Sequence, residues 1–254
     1  MDEMGKKFDK TAKNNAVTYI MVIVAWLVMM ALQQAGMLNS STTGLLVPVC
    51  IYSIMAVSLN LTVGILGDLS LGQAGFMCVG AFASAFFTNL VQDSITFTPL
   101  RFTLAILIGA LVAGVFGLLI GIPVLRLSGD YLAIVTLAFG EIIKNFLNIL
   151  YVGKDSHGLH VSIKDTMSLG MEPDGVVIIK GAQGITGTSR DATFTIGIIL
   201  LLISLFIVLR LVQSRDGRAI RSIRDNRIAA ESIGINITKY KLLALTVSAA
   251  IAGM

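Results

Sequence analysis

Long apolar runs dominate this chain of 254 residues, and they restrict what it can fold into. A helix needs about 20 mostly apolar residues to cross the hydrocarbon core of a bilayer. Charged residues make up 13% of the chain, about half of the roughly 25% found in soluble domains. The sequence therefore predicts an all-α, polytopic transmembrane helical bundle. The predicted spans are residues 16–37, 45–66, 69–90, 102–125, 131–151 and 194–212.

A seventh apolar run begins at Leu242 and reaches Met254. As a helix it would extend only about 20 Å, which is shorter than the hydrocarbon core of about 30 Å. We therefore expect the chain to be truncated at its C-terminus, with further spans missing.

Basic residues predict the orientation. The N-terminal tail, residues 1–15, and the segment 213–241 are the two short segments richest in Lys and Arg, and short basic segments stay in the cytoplasm. Six crossings put both of them there and leave the loop 152–193 outside, as expected for a multi-pass protein of the cell (inner) membrane. Between the second and third runs, Gly67 and Asp68 are the only interruption, so this region is either a tight hairpin or a re-entrant, broken helix.

An arginine occurs at every third position from Arg215 to Arg227 in the stretch RDGRAIRSIRDNRIAAESIG, residues 215–234. A voltage sensor has this spacing, but there the intervening residues are apolar and the helix spans the membrane. Here polar residues intervene, and burial of each arginine at mid-bilayer would cost about 2.5–3.5 kcal/mol. A patch for anionic lipid is the simpler alternative and accounts for the charge. The asymmetric placement of the charge does not indicate nucleic-acid binding.

The pattern in this stretch predicts two short cytoplasmic helices. Ile220 and Ile223 give the first an apolar edge, Asn226 is a suitable N-cap for the second, and Gly234 is suited to end it. Thr238 is then expected to cap the next span, which starts near residue 240. The small residues of the second helix would allow another surface to approach closely.

The segment Ile228-Ala229-Ala230-Glu231-Ser232-Ile233-Gly234 resembles the cytoplasmic EAA loop of ABC-importer permeases, although Ile228 stands where that family has glutamate. Residues 58–82 resemble the second and third membrane segments of branched-chain amino acid permeases. Residues 126–148 and 217–254 are similar to the larger of the two permease subunits of that uptake system.

The resemblance implies the partners and the function. Such a permease pairs with a second, homologous permease subunit, and two cytoplasmic ATPase subunits power the pair. An external solute-binding protein delivers leucine, isoleucine or valine. The chain has no G-x-x-x-x-G-K-[ST] phosphate loop, so we expect it to be a transport subunit and not an enzyme, with no cofactor of its own and ATP bound by the partners. The residues implied to contact the ATPase are Ile228, Ala229, Ala230, Glu231 and Gly234.

Two other functions stay open at this point: a permease of a related ABC importer for urea or another small solute, and an ion channel or ion-coupled secondary transporter. Polar residues at membrane depth usually face a bundle interior or a water-filled cavity. The resulting pathway candidates are Asn60, Thr62, Ser70, Gln73, Thr136, Glu141 and Lys144. Glu141 and Lys144 are alternatively a structural ion pair, and the residues near the glycine-rich break are alternatively part of a turn.

Small residues recur every four positions along the fourth predicted span and indicate helix packing: Gly109, Ala113, Gly117 and Gly121. His157 and His160 have too few potential ligands nearby to predict a metal site. Cys50 and Cys78 lie in apolar runs, where packing is the expected role.

Overall fold

The computed structural model describes residues 2–91, 97–125, 127, 130–155, 157–171, 175–185 and 192–254, with the side chains of residues 2–14 and 130 excepted. The tail lysines are therefore placed only by their backbone. Residues 126, 128 and 129 of the motif at 126–148 lie outside the described part, as do residues 156, 172–174 and 186–191 of the predicted external loop.

The described chain is mainly helical. The helices are α1 (Asp2–Gln34), α2 (Ser40–Leu59), α3 (Gln73–Val91), α4 (Thr98–Val124), α5 (Asp130–Asn148), α6 (Phe194–Gln213), α7 (Arg215–Asp225), α8 (Arg227–Ser232) and α9 (Ile237–Ala252).

Five helical segments of the described chain are long and apolar enough to cross a membrane. They are Asn15–Gln34, Ser40–Leu66, Gln73–Val91, Thr98–Val124 and Phe194–Gln213. The predicted all-α, polytopic fold is confirmed, whereas the count of six complete spans is not. The difference concerns the predicted span 131–151, which forms α5 but is absent from these five.

The helices divide into two compact units. The first comprises the residues up to Val57 together with Ala192–Gly217. Within it, α1 contacts α6, and α2 approaches α6 closely, because a Cβ added at Gly197 would lie 2.8 Å from the Cβ of Cys50. Cys50 is buried there, in agreement with the predicted packing role.

The second unit comprises Ser58–Asp191 and Arg218–Met254. In this unit α4 packs between α3 and α9. The C-terminal part of α4 lies beside the start of α9, where a Cβ at Gly121 would be 2.6 Å from Leu242 Cδ1. The middle of α4 lies beside the end of α9, where a Cβ at Gly109 would be 2.8 Å from the Gly253 carbonyl oxygen. The two helices are therefore antiparallel.

A small antiparallel sheet occupies part of the predicted external loop and was not predicted. Its strands are β1 (Tyr151–Asp155), β2 (Gly158–Ser162) and β3 (Val176–Lys180), in the order β2-β1-β3. Val152, Ile178 and Ile179 form its buried side and pack on Phe82 and Phe86 of α3.

The sheet continues the path of α5 along α3. Gly72 meets Thr136 and Gly75 meets Gly140, so α5 and α3 are parallel and Asn148 is near the level of residue 83. At 1.5 Å per residue, α3 extends about 12 Å further than α5. Strand β1 covers this distance, since Lys154 Nζ donates to the Leu90 carbonyl oxygen at 3.4 Å. With 19 residues, α5 is as long as α3, so its length does not make it the weaker span. Asp130, Glu141 and Lys144 make it less apolar than α3.

The region between the second and third spans is a π-helical stretch, Asn60–Leu66, followed by non-helical residues 67–72. Gly67 ends the π-helix with φ +84°, a left-handed conformation that favours glycine. We call residues 60–72 the helix break.

The two predicted short helices are present as α7 and α8, and residues 215–232 are called the coupling segment. Asn226 caps α8 by accepting from the Ala229 N–H at 3.0 Å, as predicted. Gly234 follows α8 with φ +86°. The prediction for Thr238 is wrong. Because α9 begins at Ile237, its N-cap is Asn236, which accepts from the Lys239 N–H at 3.1 Å.

Candidate functional site

Three of the pathway candidates meet in one buried place beside the helix break. Thr62, Ser70 and Thr136 line a cavity of about 10 Å³, which is room for about one water molecule. Thr136 accepts from the Leu71 N–H at 3.0 Å and donates to the Ala133 carbonyl at 2.9 Å. The Ser70 hydroxyl is buried and has no hydrogen-bond partner among the described residues.

Gln73 belongs to a separate buried polar cluster at the start of α3. Its amide nitrogen lies within hydrogen-bond distance of the hydroxyls of Ser58 and Ser248. The Ser248 hydroxyl in turn donates to the Ser58 carbonyl at 2.8 Å. These three side chains join the end of α2, the start of α3 and the middle of α9. Neither serine was predicted from the sequence, because the two lie 190 positions apart and only the fold brings them together.

The other pathway candidates lie elsewhere. Asn60 is exposed at the start of the π-helix. Glu141 and Lys144 form a salt bridge of 3.2 Å, and their side chains are 55% and 59% exposed, respectively. The pair is therefore present, but the described residues of this chain do not cover it. Asn145 and Asn148 are exposed as well, so the uncovered face of α5 is polar at positions i, i+3, i+4 and i+7.

The helix break is tied to α9 by an ion pair. Lys241 Nζ lies 2.8 Å from Asp68 Oδ1 and 2.5 Å from Oδ2. The Lys241 side chain is 9% exposed and that of Asp68 is 19% exposed. Removal of one partner from a buried pair leaves an uncompensated charge, which costs about 3–5 kcal/mol when burial is complete. A lysine just before the apolar run that begins at Leu242 was the signal in the sequence that could have identified this pair.

A second link joins the helix break to α7. Arg224 Nη1 donates to the Gly64 carbonyl oxygen at 2.5 Å, and the aliphatic part of the same side chain crosses Gly67. A Cβ at Gly67 would lie 2.6 Å from Arg224 Cγ. Between the two links, buried Ile220 packs against Leu66 and Ala244.

The coupling segment exposes only part of the motif seen in the sequence. Ile228 and Ile233 are 80% and 73% exposed, and Ala229 and Glu231 are exposed beside them. Ala230 is 2% exposed.

The expectation that both alanines form an approach surface is therefore wrong for Ala230. It points inward because it packs against Ile223 of α7 and Ile237 of α9.

The four small residues of α4 all lie against α9. Ala113 is fully buried, and a Cβ at Gly117 would lie 2.5 Å from the Ala249 Cβ. The contacts of Gly109 and Gly121 with Gly253 and Leu242 complete the row. Such close approach is typical of small-residue helix interfaces.

His160 lies on the sheet, with Nε2 3.0 Å from Asp155 Oδ2. In the part of the chain that the structure describes, no three His, Cys, Asp or Glu side chains are grouped as a metal site would require.

A protein-family profile described as "Branched-chain amino acid transport system / permease component" matches residues 41–254. The chain belongs to this family. It is 31% identical over 258 aligned positions to the high-affinity branched-chain amino acid transport system permease protein LivM of Salmonella typhimurium. It is 32% identical over 259 positions to the Escherichia coli protein of the same name.

Each alignment covers 98% of this chain, and the chain spans 59% of the length of either relative. No solved structure was found to match it. Family membership and the apolar helices establish a multi-pass membrane protein of the permease class.

Proposed function

We propose that this chain is a permease subunit of an ATP-driven importer that translocates leucine, isoleucine or valine. The observation that carries the proposal is the family match over residues 41–254. The names of the two LivM relatives supply the solute class. In this proposal the chain itself has no ATPase site and no cofactor. It assembles with a second permease subunit, two cytoplasmic ATPases that bind ATP, and an external binding protein.

The proposed orientation places the N-terminus and the coupling segment in the cytoplasm. Its support is the pairing of Lys241 with Asp68 and of Arg224 with Gly64. Both contacts bring the helix break to the same end of the second unit as the coupling segment, as the topology derived from the basic residues requires.

The coupling segment is the proposed docking site for an ATPase. Ile228, Ala229 and Ile233 offer an exposed apolar patch, and Glu231 adds a charge beside it. Exposed apolar residues on a short, capped helix favour a protein partner over a lipid patch, which would need only the arginines. Gly234 ends the helix and so fixes the length of the patch, while Ala230 packs α8 against α7 and α9.

The uncovered polar face of α5 is the proposed pathway face. A charged pair with more than half of its surface exposed is costly against lipid and is expected to face water or protein. Glu141 and Lys144 carry the two charges needed to meet the ammonium and carboxylate groups of an amino acid. Asn145 and Asn148 extend the same face by one turn.

Uptake in reconstituted vesicles tests the function. Proteoliposomes containing the importer assembled around this chain, with ATP at the ATPase side and binding protein at the other, should accumulate radiolabelled leucine. Accumulation should stop when ATP is replaced by ADP and persist when ionophores collapse all ion gradients.

Unlabelled isoleucine and valine should compete with leucine in this assay, and urea should not. Leucine uptake by this chain alone, driven by an ion gradient, would contradict the proposal.

A further inference from the structure

We infer that Arg224 and Lys241 are positioning residues that transmit movements of the coupling segment to the helix break. This inference rests on the proposed function, because it assigns a consequence to ATPase docking. It concerns two side chains outside both the exposed docking patch and the polar face of α5.

Arg224 satisfies a backbone group that the π-helix leaves open. The last carbonyls of any helix have no partner within the helix, and Gly64 lies in the last turn of the stretch Asn60–Leu66. Arg224 donates to this carbonyl, and a cation is also favoured at the negative, C-terminal end of a helix. The glycine at position 67 makes the contact possible, since a Cβ there would meet the arginine side chain.

Arg224 also lies close enough to α8 along the chain to move with it. It is the second-last residue of α7, and Asn226, which caps α8, follows two positions later. A displacement of α8 therefore acts on Arg224 through only two intervening peptide bonds. Ala230 fixes the other side of α8 to α7 and α9.

Lys241 of α9 forms an ion pair with Asp68 of the helix break. Its pair with Asp68 is mostly buried, so the charges are poorly screened and the geometry is costly to change. Ile220, Leu66 and Ala244 fill the space between the two links. The middle parts of the helix break, α7 and α9 thus share one small core.

The far end of the helix break meets the buried polar residues. Leu71 donates to Thr136 of α5, and Gln73 bonds to Ser58 and Ser248. A shift of Gly64 and Asp68 therefore changes the surroundings of Thr62, Ser70 and Thr136, which line the cavity. The connected path runs from the coupling segment through the helix break into the membrane interior.

The test compares ATP hydrolysed per leucine transported in the assembled importer. Arg224→Gln removes the donor charge, and Arg224→Lys retains it. In Arg224→Gln we expect the ratio to rise by about fivefold or more, the lower end of typical coupling between sites, with partial recovery in Arg224→Lys. Arg221→Gln, an exposed arginine one turn earlier on α7, is the matched control and should leave the ratio unchanged. A purely structural role for Arg224 would lower yield or thermal stability without changing this ratio.

The ion pair supplies a second test that does not depend on Arg224. Asp68→Lys and Lys241→Asp should each raise the ratio, and the double exchange should bring it back toward the wild-type value. An unchanged ratio in Arg224→Gln, or a double exchange as poorly coupled as the single variants, would overturn the inference. Failure of the wild-type importer to show ATP-driven uptake would instead contradict the proposed function.

Discussion

The close contact between Gly117 of α4 and Ala249 of α9 allows a quantitative prediction about stability. Gly117→Ala places a Cβ 2.5 Å from the Ala249 Cβ, so the two helices must move apart. Overpacking of this kind costs about 1–3 kcal/mol. The better helix propensity of alanine offsets up to about 1 kcal/mol of this cost, which leaves a net loss of up to about 2 kcal/mol. At about 2–4 °C per kcal/mol for a chain of 150–250 residues, the apparent melting temperature should fall by up to about 8 °C.

Two further variants isolate the clash. Gly44→Ala adds the same methyl group inside α2, where no heavy atom lies within 4 Å of the new Cβ. Its melting temperature should be unchanged or slightly raised, because alanine is the better helix former by about 1 kcal/mol. Gly117→Ala combined with Ala249→Gly removes the atom that the new methyl group meets, and the helix propensities cancel, so most of the loss should be recovered.

The assay is thermal unfolding of the purified protein in detergent, followed by the fraction that stays monodisperse. A Gly117→Ala variant that melts at or above the wild-type temperature would refute the packing argument. The same holds for a double variant that is no more stable than Gly117→Ala alone.

Three further predictions concern single contacts. Asn226→Ala removes the cap of α8, at a cost of about 0.5–2 kcal/mol, so hydrogen exchange at the Ala229 amide should accelerate about 2- to 30-fold; an unchanged rate would disprove the cap. Ala230→Leu should lower the melting temperature by overpacking a buried site, whereas Ala229→Leu should not, and equal effects would show that the two alanines have the same exposure. Glu141→Gln breaks an exposed pair with Lys144 worth less than about 1 kcal/mol, so it should reduce leucine uptake with little change in melting temperature; a large loss of stability with intact uptake would favour the structural role.

The long helices could be predicted from the sequence because apolar length alone determines them. The predicted span 102–125 and helix α4 differ by only a few residues at their N-terminal ends. The Asn226 cap was also predictable, since it depends on residues three positions apart. Thr238 failed because Asn236, another good capping residue, precedes it by two positions and starts the helix earlier.

Contacts between segments that are distant in the chain could not be predicted from patterns in the sequence. The sheet was missed because its strands are only five residues long and bury their apolar side against α3. The side of α8 that faces inward depends on Ile223 and Ile237, which belong to two other helices. The pairing of Asp68 with Lys241 joins residues 173 positions apart, so only the fold brings them together.

Cysteine labelling is the most direct test of whether the coupling segment lies on the cytoplasmic side of the membrane. In a background with Cys50→Ala and Cys78→Ala, Ser232→Cys marks the exposed end of α8, and Met167→Cys marks the loop 152–193 at a residue that is 92% exposed. The chain is expressed without the proposed ATPases, and a membrane-impermeant maleimide is added to right-side-out vesicles. Met167→Cys should be labelled at once, and Ser232→Cys only after the vesicles are opened. Labelling of Ser232→Cys in sealed vesicles would contradict the cytoplasmic docking site and the function built on it.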